Sequence, residues 1–167
     1  MHTLPTAQET GHSQPLLLSA AALLLLCAAC ASPLTGPARH PGDRDAVVIE
    51  ARGCLGAPYR WGGDSPAGFD CSGLVCYVYN RVYGITLPHN SAALHRRGRT
   101  VTLRNAARGD LLFFGEGRRS PISHVGIYIG GQEFIHASSS RGVIVSRLSD
   151  SYYSRRLIAV KRLPLAR

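Results

Sequence analysis

The spacing of apolar residues changes partway along the chain, from a helical period to a strand period. Residues 43–55 carry a short apolar stripe at helical spacing, and Asp43 is placed to cap that helix. A loop dense in glycine and proline follows. Residues 71–84 then fit a second helix, with Asp70 as its cap and a glycine as its natural stop.

Beyond a short polar segment at 90–97, the pattern becomes typical of strands. Five short runs are apolar or alternate between apolar and polar residues: 110–114, 125–129, 133–137, 143–147 and 157–162. Gly130–Gly131 separates the second run from the third and predicts a tight hairpin. Helices first and strands afterwards predict an α+β fold, with N-terminal helices packed on an antiparallel sheet of five to six strands.

The first 30 residues are typical of an export leader. The apolar run 16–29 has the length of a signal-peptide core and is short for a bilayer span. Two forms of processing fit: cleavage after Ala31, or a lipobox at 27–30 in which Cys30 is lipidated. The leucines before the cysteine favour lipidation, although no Lys or Arg precedes the run.

A linker separates this leader from the folded domain. Residues 31–42 contain three prolines and two glycines, a composition typical of a connecting segment. The predicted organisation is therefore a leader at 1–30, a linker at 31–42 and a catalytic domain at 43–167.

The net charge of +9 favours anionic partners such as acidic lipid, nucleic acid or anionic wall polymer. Nucleic-acid binding would need a basic stripe interleaved with aromatic residues, or a known module, and neither is present. The fractions of hydrophobic residues (45%) and charged residues (17%) indicate a globular chain, and 167 residues are enough to bury one hydrophobic core.

Three of the five cysteines belong to the predicted domain: Cys54, Cys71 and Cys76. An odd number in an exported domain allows either one disulfide with a free thiol or no disulfide at all. Cys54 and Cys76 fit structural positions in or near helices, and a bond between them is left open.

Cys71 differs because it stands at the predicted start of a helix, where backbone N–H groups and the helix dipole favour a thiolate. His124 begins one strand and His136 ends the next, so the hairpin brings them close together. A nucleophile, a base and an orienting group would then share one site. A zinc site made of the same three residues is the metal alternative, but no HExxH or domain CxxC motif supports it.

Several motifs together resemble the NlpC/P60 cysteine peptidases, in particular the MepS-type (Spr) murein endopeptidase lipoproteins. They are PYRWGGDSPAGFDCSGLV, RGDLLFF, HVGIYIG and FIHAS, and the resemblance covers residues 45–163. It implies a compact papain-like fold without a cofactor. It also implies Cys71 as nucleophile, His124 as general base and His136 as the residue that orients His124.

The resemblance implies further site residues in the glycine-rich loop and around the cysteine. Tyr59 matches a tyrosine whose hydroxyl contributes to the oxyanion site. The residues implied in substrate binding are Asp70, Ser72, Arg60 and Trp61. His89 departs from the family pattern, because it stands where members often have arginine, and this leaves the specificity of the cleft open.

The implied function is hydrolysis of peptide bonds in peptidoglycan stems or cross-links by a monomeric, exported protein. Acylation of Cys30 would make it an outer-membrane lipoprotein facing the periplasm. A soluble periplasmic or secreted form is the alternative. An amidase or acyltransferase on the same scaffold, or a non-catalytic wall-binding module, are the other functions to separate.

Overall fold

The computed structural model describes residues 43–164, so the predicted leader, the linker and Cys30 lie outside the described residues. Within this part of the chain there are four α-helices. They are α1 (Arg44–Gly53), α2 (Cys71–Tyr83), α3 (Ser91–Arg97) and the short α4 (Ser151–Ser154). No helix among these residues combines the length and apolarity needed to cross a bilayer.

Eight strands accompany the helices in the described region. A small hairpin pairs β1 (Asp64–Ser65) with β2 (Gly68–Phe69). The remaining strands are β3 (Arg99–Val101), β4 (Leu111–Phe114), β5 (His124–Gly130), β6 (Glu133–Ser138), β7 (Gly142–Arg147) and β8 (Leu157–Arg162). They form one antiparallel sheet in the order β3-β8-β4-β5-β6-β7. The predicted α+β class is confirmed.

The two predicted helices and their caps are confirmed. The Asp43 carboxylate accepts hydrogen bonds from the N–H groups of Asp45 and Ala46 at the start of α1. Asp70 caps α2, and Gly84 ends it in the left-handed conformation at φ 66°. Local capping chemistry therefore sets where α2, and with it Cys71, begins.

Three local features differ from the prediction. The polar segment after residue 90 forms α3, because Asn90 caps it and Leu94 is fully buried. The glycine-rich loop contains the β1–β2 hairpin. The tight turn between β5 and β6 is centred one residue later than expected: Gly131 and Gln132 both have positive φ, as a type I′ turn requires.

Both faces of the sheet are covered, which explains why β4 is continuously apolar. Leu111 and Phe113 belong to the larger core that packs against α1 and α2. Leu112 and Phe114 belong to a smaller cluster on the opposite face. That smaller cluster also holds Phe134, Tyr128 and Tyr153.

Gly73 allows α2 to pack against the glycine-rich loop. A Cβ at this position would lie 1.9 Å from the carbonyl oxygen of Gly63 and 2.9 Å from Nε2 of His89. We expect Gly73→Ala to lower the unfolding free energy by about 1–3 kcal/mol, because the backbone of the loop must move. Gly53→Ala is the matched control, since its Cβ would contact nothing within 4 Å. Chemical denaturation measures both, and equal stabilities would contradict the close approach.

Candidate active site

A cleft of about 800 Å³ lies between the helical and the sheet segments of the domain. Its volume is in the range typical of ligand sites. The residues singled out from the sequence that line it are Tyr59, Trp61, Asp70, Cys71, Ser72, His124 and His136, joined by His89. Arg60 is not among the lining residues; its side chain packs over Gly68 instead.

Cys71 is the first residue of α2, and its partly buried thiol faces the cleft. The pKa of this thiol is raised above its ordinary value, chiefly by burial and also by the charge of Asp70. Backbone hydrogen bonds at Val125 and Ser72 act in the opposite direction. The backbone hydrogen bonds at the helix terminus therefore favour the thiolate, as expected, but burial has the larger effect on the pKa. Cys71 is held as a thiol, and its ionisation needs a base.

His124 and His136 form a hydrogen-bonded pair on adjacent strands. Nε2 of His124 lies 2.9 Å from Nδ1 of His136, with the two rings nearly perpendicular. The pairing of Ile127 with Ile135 places the two histidines diagonally across β5 and β6 rather than directly opposite. Since Nε2 is engaged, Nδ1 is the nitrogen of His124 that remains available for chemistry in the cleft.

A second layer of polar groups lies behind His136. Its Nε2 is 3.0 Å from the Ser146 hydroxyl and 3.2 Å from the Tyr153 hydroxyl. Those two hydroxyls are themselves 3.4 Å apart. The His136 ring stacks on Phe134, with centroids 4.9 Å apart and planes 29° apart. The smaller core cluster thus holds the imidazole in place.

Burial keeps both imidazoles neutral at ordinary pH. It lowers the pKa of His124 to about 4 and, together with the charges of His124 and Arg141, that of His136 to about 3. The two histidines can therefore accept protons only transiently, or in strong acid.

This burial predicts an acid-sensitive fold. As pH falls from about 6.5 to 4, the unfolded chain binds protons on these histidines that the folded chain does not, so stability decreases. We expect a loss of roughly 3 kcal/mol per histidine across that window. His136→Asn should reduce this slope by about half, as measured by urea unfolding at a series of pH values. Parallel pH curves for wild type and variant would contradict the assignment.

Asp70 is the centre of a second polar cluster in the cleft. Its carboxylate accepts hydrogen bonds from the N–H groups of Gly62 and Gly73 and from the Ser72 hydroxyl, and lies 2.9 Å from Nε2 of His89. Burial opposes ionisation, but the bonds from Gly73, His89 and Ser72 hold its pKa below the ordinary value. Asp70 is therefore both a helix cap and a fixed negative charge in the cleft.

Two aromatic residues of the glycine-rich loop border the same cleft. Tyr59 is partly buried, and the pKa of its hydroxyl is raised by burial and by the neighbouring Cys71 and Asp70. Trp61 is 88% exposed, so its indole ring is available to a bound molecule. Of these two residues, Tyr59 is thus the one whose hydroxyl interacts electrostatically with the Cys71 thiol.

The other two cysteines lie outside the cleft lining. The thiols of Cys54 and Cys76 donate to the carbonyl oxygens of Glu50 and Leu87, and burial raises the pKa of each to about 11. All three cysteines between residues 43 and 164 are free thiols. In the same region no three His, Cys, Asp or Glu side chains are grouped to hold a metal ion.

Three polar residues at or behind the site were not assigned to it from the sequence. His89 was noted only as a departure from the family pattern, yet it contacts Asp70. Ser146 was visible as a polar residue within an apolar strand. Nothing local to Tyr153 indicates its contact with His136, because α4 and β6 meet only in the folded chain.

Comparison with known proteins places this geometry in context. The sequence profile of the NlpC/P60 family matches residues 56–162. The chain is 39% identical over 127 residues to the gamma-DL-glutamyl hydrolase of Bacillus subtilis. It is 34% identical over 125 residues to the murein DD-endopeptidase MepS/murein LD-carboxypeptidase of Escherichia coli. Each alignment covers 75% of this chain.

A solved structure with a similar fold is the NlpC/p60 domain of the peptidoglycan hydrolase SagA. It superposes with a TM-score of 0.64 at 34% identity, covering 72% of this chain and 99% of that domain. Against the curated relatives the coverage is smaller: the chain spans 31% of the Bacillus protein and 65% of the Escherichia protein.

Proposed function

Since this chain belongs to the NlpC/P60 family, we propose that it is a cysteine peptidase that hydrolyses peptide bonds in the stems or cross-links of peptidoglycan. One observation carries the proposal. Cys71 at the start of α2 and the hydrogen-bonded pair His124–His136 line the same cleft. This set contains a nucleophile, a base and a group that orients the base, which is what nucleophilic acyl transfer needs.

The proposed reaction has two halves. The Cys71 thiol passes its proton to Nδ1 of His124 as sulfur bonds to the scissile carbonyl carbon. His124 then gives that proton to the leaving nitrogen as the C–N bond breaks, leaving a thioester. Water attacks the thioester with His124 again as base, releasing a carboxylic acid and restoring the thiol. The Tyr59 hydroxyl and backbone N–H groups beside Cys71 stabilise the oxyanion in both halves.

The charges in the cleft support a substrate of this chemistry. Peptide stems offer free amines and carboxylates, and the cleft holds a partly buried anionic group, Asp70, on the helical side. Arg156 lines the cleft from the sheet side, with its guanidinium 3.9 Å from the centroid of the Tyr152 ring. We propose that Asp70, Ser72 and Trp61 bind the stem. We propose that Arg60, whose side chain lies against Gly68, binds the stem from outside the cleft lining.

Digestion of purified muropeptides tests the proposal. Monomeric tripeptide and tetrapeptide stems and a cross-linked dimer are incubated with the reduced protein, and the products are identified by mass spectrometry. A peptidase adds one water across a bond within a stem or cross-link. Release of the whole stem from its sugar would indicate the amidase alternative. Transfer of a stem peptide to an added amine, without gain of water, would indicate an acyltransferase.

Binding without any cleavage is the remaining outcome. If every bond stays intact under reducing conditions while the protein co-sediments with intact sacculi, the wall-binding alternative replaces the enzymatic one. The cleft then acts as a binding groove only.

We propose further that the protein is exported and works as a monomer on the cell wall, without a cofactor. Lipidation of Cys30 would hold it on the outer membrane facing the periplasm, where its net charge of +9 favours anionic surroundings. Intact mass of the mature protein decides between the processing routes. A lipid adduct at Cys30 supports the anchor, and a chain beginning at Ser32 supports the soluble form.

A further inference from the structure

The hydroxyls of Ser146 and Tyr153 meet the buried nitrogen of His136 that faces away from His124. The three atoms, Nε2 of His136 and the two oxygens, lie within 3.0–3.4 Å of one another. All three residues are buried, with exposures of 2% for His136, 9% for Ser146 and 8% for Tyr153. Water therefore has little access to replace either hydroxyl.

We propose that Ser146 and Tyr153 are positioning residues that hold the proton of His136 on Nε2, so that its Nδ1 stays free to accept from His124. This inference rests on the proposed function, because it concerns the base of that reaction. It extends the site by two residues that do not act on the substrate's reacting bond.

The proton arithmetic of the histidine pair supports this role. When His124 takes the proton of Cys71 it carries N–H on both ring nitrogens, so its Nε2 must donate to its partner. His136 can accept through Nδ1 only if its own proton is on Nε2. A buried N–H without an acceptor is costly. The Ser146 hydroxyl donates its own proton to the Tyr153 oxygen, so its oxygen is left to accept from Nε2 of His136, and the Tyr153 oxygen lies within reach as a second acceptor.

The opposite arrangement blocks the reaction. If His136 carried its proton on Nδ1, that proton would be donated to Nε2 of His124 and the remaining proton of His124 would occupy Nδ1. The base would then have no free lone pair for the thiol. Burial disfavours escape through a doubly protonated His136, because it lowers the pKa of that imidazole to about 3. The hydroxyl pair thus prepares the site for the charge that develops on His124.

Because either hydroxyl oxygen can accept the Nε2 proton of His136, each partly replaces the other. Loss of both hydroxyls should therefore reduce activity more than the two single losses combined. We expect Ser146→Ala and Tyr153→Phe each to lower kcat by about 3–10-fold. Together they should lower it by roughly 100-fold or more, a typical cost for residues that fix a catalytic imidazole. KM should change little, since the hydroxyls face His136. Ser146→Thr, which keeps the hydroxyl, should recover most of the activity.

Matched controls come from hydroxyls elsewhere in the domain. Tyr83→Phe removes a hydroxyl that donates to the Asp43 carbonyl, and Ser149→Ala removes an exposed one. Both should leave kcat unchanged. Thermal unfolding of every variant separates loss of positioning from loss of fold.

The direct test is ¹⁵N NMR of the two imidazoles at neutral pH, which reports the protonated nitrogen without any substrate. Wild type should show both His124 and His136 protonated on Nε2, and the double variant should show His136 shifted towards Nδ1. A wild-type His136 protonated on Nδ1, or a double variant with unchanged tautomers and kcat within threefold, overturns the proposal. If the double variant does not fold, Ser146→Ala and Tyr153→Phe are measured singly; each should shift a smaller fraction of His136 towards Nδ1, and unchanged tautomers in both overturn the proposal. The NMR measurement needs no peptidoglycan. It can therefore support or overturn the proposed tautomer of His136 even if the protein does not hydrolyse peptidoglycan.

Discussion

Cys71→Ala is expected to abolish peptide-bond hydrolysis, with a fall in rate of about 10⁴-fold or more. The reason is that no other thiol among the described residues lines the cleft. Cys54 and Cys76 are engaged with backbone carbonyl oxygens, and their pKa values are near 11. Removal of the proposed nucleophile leaves only binding and oxyanion stabilisation, which cannot form the thioester.

Cys76→Ala is the matched control, because it deletes a partly buried thiol from the same helix, five residues further on. It should retain activity within a few-fold of wild type. Rates are measured by mass spectrometry on a single muropeptide, with thermal unfolding as a check that each variant is folded. Comparable cleavage by Cys71→Ala and wild type would show that the thiol mechanism is wrong, even if peptidoglycan is the substrate.

His124→Asn is expected to cost about 10³–10⁴-fold in kcat, since both halves of the proposed reaction use the same imidazole as base and acid. Burial lowers the pKa of His124 to about 4 in the free protein. Wild-type kcat/KM should therefore stay nearly constant from about pH 8 down to pH 5. An exposed histidine would already be protonated, and inactive as a base, at the lower end of this range.

The control for this variant is His95→Asn. His95 lies in α3, where its ring packs edge-on against Phe113 with centroids 5.2 Å apart, and it is absent from the cleft lining. It should keep both the rate and the flat pH profile. A wild-type acid limb near pH 6.5, or an active His124→Asn, would mean that a different group serves as the base.

Much of the fold was predictable because its signals are local. Asp43, Asp70 and Gly84 mark helix ends through their own backbone chemistry. The apolar runs after residue 110 mark β4 to β8. Segments that form through burial alone were missed: α3 depends on Leu94 entering the core, and β3 exists only because β8 returns to pair with it.

The site divides in the same way. Cys71 and the histidine pair follow from a helix start and a hairpin, both local features, and they do line one cleft. Their ionisation was not predictable, because the burial that raises the pKa of Cys71, and outweighs the backbone hydrogen bonds that lower it, exists only in the folded chain. The contacts of His136 with Ser146 and Tyr153 join three elements distant in sequence, so no spacing rule reveals them.

The position of β8 within the sheet has a consequence for the synthesis and export of the chain. This strand comes last in the described sequence, yet it lies between β3 and β4. A nascent chain lacking residues 157–162 has β3 without its partner and β4 with one open edge. Completion of the sheet must therefore wait until residues 157–162 have been synthesised. For a protein proposed to be exported, this delay leaves the sheet incomplete while the residues before β8 are being made.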